Sequence, residues 1–365
     1  MAKPPRILVA PLNWGLGHAT RCIPIIHCLQ KQGVEVLIGS DGEALKLLKL
    51  AFPELTHIEL PSYNIRYRYA NMFMNIAPQL PKLFKALSLE RRFLAGIIQT
   101  HKIDALISDN RYGLVHPKIP CVFITHQLDI RISNPLVSRW VNSINQRLIS
   151  KFQTCWVPDL EEAPGLSGAL AHPLHPLSDK MPPIQYIGPL SRLEAPILDI
   201  LPKSYDIVAI LSGPEPQRSY LEKKLLAEMD RLPLNCLLVR GKPDSTAPTQ
   251  GHKHIEIRNF LDAPKIAWQI QTAGLLVLRS GYSSLMDLAK IGCTSALLIP
   301  TPGQTEQEYL AQQLANNGFV QQQSQQQLNL KNAWDKRLAV KGFKYEFDPQ
   351  LLEKVVRDFV NSIKK

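Results

Sequence analysis

The chain has 365 residues, a length that suits two domains of ordinary size better than one. A hydrophobic content of 45% is that of a globular protein with material for two cores, and 29 prolines against 19 glycines predict stiff, defined loops. The net charge of +11 and pI near 9.3 favour anionic partners, among them nucleotides, phosphorylated lipids, nucleic acid and an anionic membrane surface.

The six cysteines, Cys22, Cys28, Cys121, Cys155, Cys236 and Cys293, are scattered without a CxxC pair. Buried free thiols are therefore expected, rather than disulfides or a metal site. Neither a signal-peptide core nor an apolar run of spanning length is present, so a cytoplasmic location is expected, with peripheral attachment to the inner face of a membrane left open.

Ile7–Ala10 reads as a buried strand, followed by the loop Pro11-Leu12-Asn13-Trp14-Gly15-Leu16-Gly17-His18. A helix to about Lys31, a stop at Gly33 and the strand Val34–Ile38 complete a βαβ opening. Open α/β sheets bind ligands at this edge, but Ala19 and Thr20 replace the third glycine of the dinucleotide pattern, which argues against a Rossmann dehydrogenase. His18 fits a general base and equally a helix-start cap. Arg21 fits an anion contact or a surface residue.

From Tyr63 to Lys102 the basic residues Arg66, Arg68, Lys82, Lys85, Arg91 and Arg92 are interleaved with aromatics, and Glu90 alone is acidic. That composition fits a membrane-surface contact or a solvated helical face over a core. Asp104–Asn110 and Cys121–Gln127 are further strands with polar carboxyl ends, so Asp109, Asn110, His126 and Gln127 fit a cleft rim or ordinary turn duties. Trp156–Asp159 is expected to be the last strand of this half. The Pro-rich tract from Ala163 to Lys203 is the expected junction.

The pattern then restarts. Ile207–Leu211 is a strand, Ser212-Gly213-Pro214-Glu215-Pro216 a loop, and Ser219 to about Leu232 a helix. Strands at Cys236–Val239 and Ile255–Ile257 follow. The fourth repeat is Leu276-Val277-Leu278-Arg279-Ser280-Gly281-Tyr282-Ser283-Ser284-Leu285-Met286-Asp287, a strand, a Ser-Gly turn and a helix that Gly292 closes. A wheel puts Ser280, Ser283, Ser284 and Asp287 on one side and Leu285, Leu288 and Ala289 on the other. A hydroxyl-rich helix start after glycine is an anion site or a plain N-cap. Gln321–Gln327 is expected to be an exposed loop or helix edge. An amphipathic helix carrying Leu351, Leu352, Val355, Val356, Phe359 and Ile363 ends the chain.

Two motif sets resemble the GT-B glycosyltransferases, closest to the MurG-like group (glycosyltransferase family 28), which also includes plant galactolipid synthases. Asn13-Trp14-Gly15-Leu16-Gly17-His18 resembles that group's N-terminal glycine loop, with fewer glycines and with Arg21 where the group has proline. Phe260-Leu261-Asp262, Arg279-Ser280-Gly281 with Asp287, and Pro300 with Gln307-Glu308-Tyr309 resemble its C-terminal signature. The resemblance implies an α/β protein of two Rossmann-like domains facing across a cleft. Its parts would be an acceptor-side domain over 1–190, a nucleotide-sugar domain over 191–345, and a helix over 346–365 crossing back to the first domain.

It also implies roles. Leu261 would meet uracil, and Asp287, where the group has Glu, would bind the ribose hydroxyls. Ser212-Gly213 and Ser280-Gly281-Tyr282-Ser283-Ser284 would cradle the diphosphate. Gln307, with Glu308 beside it in place of a second Gln, would meet the sugar. His18 would be the catalytic base, with Gly15, Gly17, Arg21, Asp109, Asn110 and His126 on the acceptor side.

The expected reaction is transfer of a hexose or N-acetylhexosamine from a UDP-sugar to an acceptor hydroxyl, with inversion. No cofactor beyond that co-substrate is expected, and the absence of an Asp-x-Asp motif predicts metal independence. Arg218, Arg240 and Arg279 are the candidate cations for the leaving diphosphate. The acceptor is left open between lipid-linked and glycan hydroxyls, with peripheral membrane contact through 63–102. Nucleic acid is not expected as a partner, since no nucleic-acid motif accompanies the basic excess. A nucleotide-sugar 2-epimerase and a catalytically silent nucleotide-sugar binder are the alternatives.

Overall fold

The computed structural model describes residues 3–63, 80–132, 134–194, 204–213, 215–242, 249, 251 and 253–363, the side chains of 80–84 excepted. They fall into two compact units, one of 1–190 with 347–365, the other of 191–346.

The first unit carries β1 (Arg6–Pro11), α1 (Leu16–Lys31), β2 (Glu35–Ser40), α2 (Gly42–Ala51), β3 (Thr56–Glu59), α3 (Leu80–His101) and β4 (Ala105–Asp109). β5 (Cys121–Ile124), α4 (Pro135–Ile149), β6 (Thr154–Val157) and β7 (Ile184–Tyr186) follow. The strands form one parallel sheet in the order β3-β2-β1-β4-β5-β6-β7. β1, β4 and β5 are almost wholly buried, which is why they read as unbroken apolar runs rather than alternating ones. In α1, Ala19, Cys22, Ile25, Ile26 and Leu29 form the buried stripe.

The second unit repeats the plan with β8 (Ile207–Ile210), α5 (Gln217–Met229), β9 (Cys236–Val239), β10 (Ile255–Arg258), α6 (Ala263–Thr272), β11 (Leu275–Leu278) and α7 (Tyr282–Ile291). β12 (Ala296–Leu298), α8 (Thr305–Asn316), β13 (Gln321–Gln322) and α9 (Leu330–Asp335) complete it. The parallel sheet runs β10-β9-β8-β11-β12-β13. The last helix, α10 (Leu351–Ile363), belongs to the first unit. It buries Val355, Val356 and Val360, sets Phe359 edge-on against Trp156, and pairs Glu353 with Lys31 of α1 at 2.7 Å.

Both sheets reverse their winding at one place, between β1 and β4 and between β8 and β11. Parallel strands there send their following chains to opposite faces and leave a crevice at the carboxyl ends. The register puts Pro11 beside Asp109 in the first sheet and Leu278 beside Ile210 in the second.

The structure refines four expectations. Trp156 does not sit on the last strand of its half, because β7 pairs beyond β6. The boundary between the units falls inside the Pro-rich tract, at Leu190/Ser191. The part up to Leu190 belongs to the first unit, where it includes β7 and where buried Asp159 accepts from the amides of Leu160, Leu166 and Ser167 and from the Ser167 hydroxyl. Pro196 and Pro202 lie outside the described residues, as do Pro214, Arg66, Arg68, Tyr67, Tyr69, Met72, Phe73 and Met74 and the side chains of Lys82 and Phe84. Of the 63–102 tract, Tyr63 and Glu90 are interior residues, joined at 2.5 Å. Of the glutamine patch, Gln321 and Gln322 form the edge strand β13 and Gln325 is buried, while Gln326 and Gln327 are exposed.

All six cysteines are free and buried. Among the described residues no helix is long and apolar enough to cross a membrane.

Candidate functional site

At the β1/β4 crevice the chain leaves β1 with the Leu12 amide donating to the Asp109 carbonyl at 2.9 Å. Gly15 then takes φ 74°, a left-handed value that favours glycine, and starts α1 with no side-chain cap. His18 is thereby placed in the first turn. Its Nδ1 lies 2.9 Å from Oδ1 of Asp109, which ends β4 and is fully buried. Arg21, one turn on and 2% exposed, donates from Nε to Oδ2 at 2.6 Å and from a second nitrogen to Oδ1.

Burial alone would raise the Asp109 carboxyl. The Arg21 guanidinium and His18 outweigh it and hold Asp109 well below the usual carboxylate range. An ionised carboxylate only accepts, so His18 Nδ1 carries the proton and Nε2 keeps its lone pair. Burial pushes the imidazole below 6.5. Asp109 opposes that push, and Arg21 and His126 reinforce it. The base candidate is therefore neutral at neutral pH.

His126, 4% exposed after β5, stands 3.4 Å from Arg21 through Nδ1 and belongs to this cluster. Asn110 takes φ 56°, and its Oδ1 is buried without a partner. Behind the loop lies a second charged group. Buried Arg111 bonds Glu90 and Asp41, each at 2.7 Å, and the Pro61 carbonyl at 2.6 Å. Asn13 is tied to Asp41 at 3.3 Å, so this network anchors the start of the glycine loop.

At the β8/β11 crevice, Ser212 and Gly213 are exposed after β8, and Gly213 takes φ 95°. Gly281 starts α7 with no side-chain cap, and a Cβ built on it would meet nothing within 4 Å. The first amides of α7 thus border open space, with Ser283 and Ser284 half-buried in its first turn. Tyr282 faces inward, only 4% exposed. Asp287 accepts from the Ser191 hydroxyl at 2.5 Å, and burial pushes its carboxyl up to about 6.

Several residues expected at the ligand have side chains bonded within this unit. Arg279, 1% exposed, donates to the carbonyls of Ile299, Pro300 and Gln217 and to Gln325 Oε1. Its guanidinium is lowered to about 10 by burial. Ser280 is fully buried and donates to the Gln307 carbonyl at 2.7 Å. Gln307 spans its own loop, accepting from the Thr301 amide and donating to Gln304, while exposed Glu308 accepts from the Gly303 amide at 3.1 Å. Arg218 is paired with Glu215 and Arg240 with Glu222. Leu261 sits half-buried just after β10.

The sequence pattern did not single out Arg111, Ser191 or Thr301. Thr301 is 3% exposed, its hydroxyl has no partner among the described residues, and a Cβ built on Gly213 would lie 4.0 Å from it. Only its place after the apolar run of β12 hints at a rim position. Among the described residues no three His, Cys, Asp or Glu are grouped to hold a metal ion.

No family model matches the chain. An "uncharacterized glycosyltransferase" of Methanosarcina acetivorans is 21% identical over 339 residues, covering 86% of this chain and 84% of that protein. Among solved structures, MurG of Acinetobacter baumannii matches with a TM-score of 0.59 at 16% identity, covering 99% of this chain and all of that one. A spinosyn rhamnosyltransferase complexed with thymidine diphosphate matches with a TM-score of 0.63 at 14% identity over 98% and 96% of the two chains. These likenesses establish the fold as GT-B, two Rossmann-like α/β units with the final helix returned to the first.

Proposed function

We propose that the chain is a glycosyltransferase that moves a hexose or N-acetylhexosamine from a UDP-sugar to an acceptor hydroxyl with inversion. The observation that carries this reading is the preformed His18–Asp109 pair at the β1/β4 crevice, with Nε2 left as the basic nitrogen. Nε2 removes the acceptor proton as the oxygen attacks the anomeric carbon. The bond from that carbon to the diphosphate oxygen breaks, and its electron pair leaves with UDP. The helix-start amides of α7 are the donors that would receive the growing charge. A spinosyn enzyme of the same fold is recorded with a nucleoside diphosphate, which supports a donor of this chemical class. A silent binder has no need of a neutral, tautomer-fixed histidine, and an epimerase has no acceptor to deprotonate.

The reaction is taken to need no metal, and full turnover in excess EDTA is the result expected. The decisive experiment is release of UDP from UDP-sugars over a panel of acceptors. Hydrolysis or epimerisation without any acceptor dependence would overturn the reading.

A lipid-linked acceptor at the cytoplasmic face is supported by the described surface of the first unit. α3 exposes Leu89 and Phe93, and α4 exposes Leu136 and Trp140. Lys151 lies near enough to Arg91 and Arg147 that its ammonium, lowered first by burial, is lowered further by both. Exposed apolar side chains and a group of neighbouring cations are each features that suit an anionic bilayer. Co-sedimentation with vesicles of phosphatidylglycerol and phosphatidylcholine should fall as salt rises and with Trp140→Ser. Absence of binding at low salt would remove the membrane from the proposal.

A further inference from the structure

Arg21 stands where the resembled glycine loop has proline, so the arrangement around it belongs to this chain and is not inherited from the resemblance. It takes both oxygens of Asp109 from the same helix that carries His18, and the oxygen His18 uses is one of them. Cys22 Sγ, 3.6 Å from Oδ2, adds a third neighbour. We propose that Arg21 is a positioning residue that divides the Asp109 carboxylate between itself and His18, fixing the imidazole tautomer while keeping Nε2 unprotonated.

The inference rests on the reading of His18 as base, and its physics is a balance of charges. A buried carboxylate paired with histidine alone favours the imidazolium, which cannot take a proton from a substrate. Burial of the ring opposes that pull first, and Arg21 opposes it further without breaking the hydrogen bond, because Asp109 has lone pairs enough for both. The other groups facing His18 act in the same direction. His126 approaches from beyond β5, and the amino end of α1 disfavours added positive charge. Cys22, its thiol held protonated by burial, contributes no charge. Asp109 is the one group that pulls the other way.

The test needs a readout independent of turnover. The ring nitrogens of His18 are titrated by NMR in the full-length protein, in parallel with the pH profile of kcat/KM. In the native protein both midpoints should lie below 6.5, with the tautomer protonated at Nδ1. Arg21→Gln should raise both by about one pH unit, the size of effect a neighbouring charge has on a buried group. Arg21→Lys restores the charge with a single contact and should bring the midpoint part of the way back. It also carries the test should the Gln variant not fold.

A folded Arg21→Gln protein with an unmoved His18 midpoint would overturn the proposal and reduce Arg21 to a counterion. A midpoint that moves while His18→Ala retains full activity would leave the Arg21 arrangement standing and sink the base reading instead.

Discussion

The two crevices have the same topology and opposite chemistry. At β1/β4 the charges are concentrated on three side chains that bond one another, His18, Asp109 and Arg21, with one imidazole nitrogen left over. At β8/β11 the Arg279 guanidinium is buried and spent on carbonyls and Gln325, and the rim offers glycines, hydroxyls and the first amides of α7. A group that must exchange a proton has to be titratable and tuned. A group that must hold a polyanion without competing for it does better with fixed dipoles. The same winding therefore serves two tasks, and variants should separate them.

The largest effect belongs to the first crevice. His18→Ala should lower kcat by about 10²–10⁴, the range for loss of a general base, while UDP affinity measured by calorimetry stays put. A fall in nucleotide affinity instead would mean that the division of labour between the crevices is wrong. Next comes Gly281→Asp in the second crevice. Aspartate is a good N-cap, and nothing lies within 4 Å of the new Cβ, so stability should hold or gain a few tenths of a kcal/mol. The same carboxylate would occupy the helix amides and repel a diphosphate, so UDP affinity should fall about tenfold or more. Equal losses of stability and affinity would show that the space is structural.

The alternation of apolar strands and helices, the glycine loop and the amphipathic last helix were legible in sequence because each is a local pattern, whereas the return of that helix to the first unit was implied only by the resemblance. α2, β3 and α4 lie where the pattern assigns nothing. α2 is short, β3 has only one buried residue, and two of the three buried residues of α4, Asn142 and Asn145, are polar. At the sites, local reading named residues whose partners lie far along the chain. Asp109 is 91 positions from His18, and Gln325 is 46 from Arg279. No spacing rule connects such pairs. Ser280 falls on the polar side of a wheel, yet it precedes the helix and is turned into the protein, so the wheel did not apply to it.

Asp287 sharpens the comparison from the donor side. Its folded carboxyl titrates near 6 against an ordinary 3.8, so between those values the folded state holds a proton that the unfolded state has released. Stability should therefore decline as pH rises through that window, and Asp287→Asn should flatten the decline in Tm scans. Nucleotide affinity should rise over the same window if the carboxylate accepts the ribose hydroxyls, and the Asn variant should lose several-fold in affinity at pH 7.5. Ser191→Ala frees the carboxylate and should shift the window upward, because the hydroxyl stabilises the ionised form. A pH-independent affinity would place the ribose elsewhere.

The smallest effect should come from Arg218, the cation nearest the Gly213 loop in sequence. Its guanidinium is held by Glu215 at 3.1–3.2 Å and by the Gly241 carbonyl, and Glu215 is further bonded by Lys242 and Ser219. Those contacts, Lys242's first, hold the Glu215 carboxyl down at about 2, so it stays ionised and keeps Arg218 engaged at any working pH. A surface pair of this kind contributes about 0–1 kcal/mol, and the guanidinium is already committed to Glu215 and the Gly241 carbonyl. Arg218→Ala should then change UDP affinity by less than about twofold, with the salt dependence of binding unaltered. A tenfold loss, relieved by Glu215→Gln in the native background, would show that Arg218 is released to the diphosphate. The second crevice would then hold its ligand with a side-chain charge, as the first holds its base.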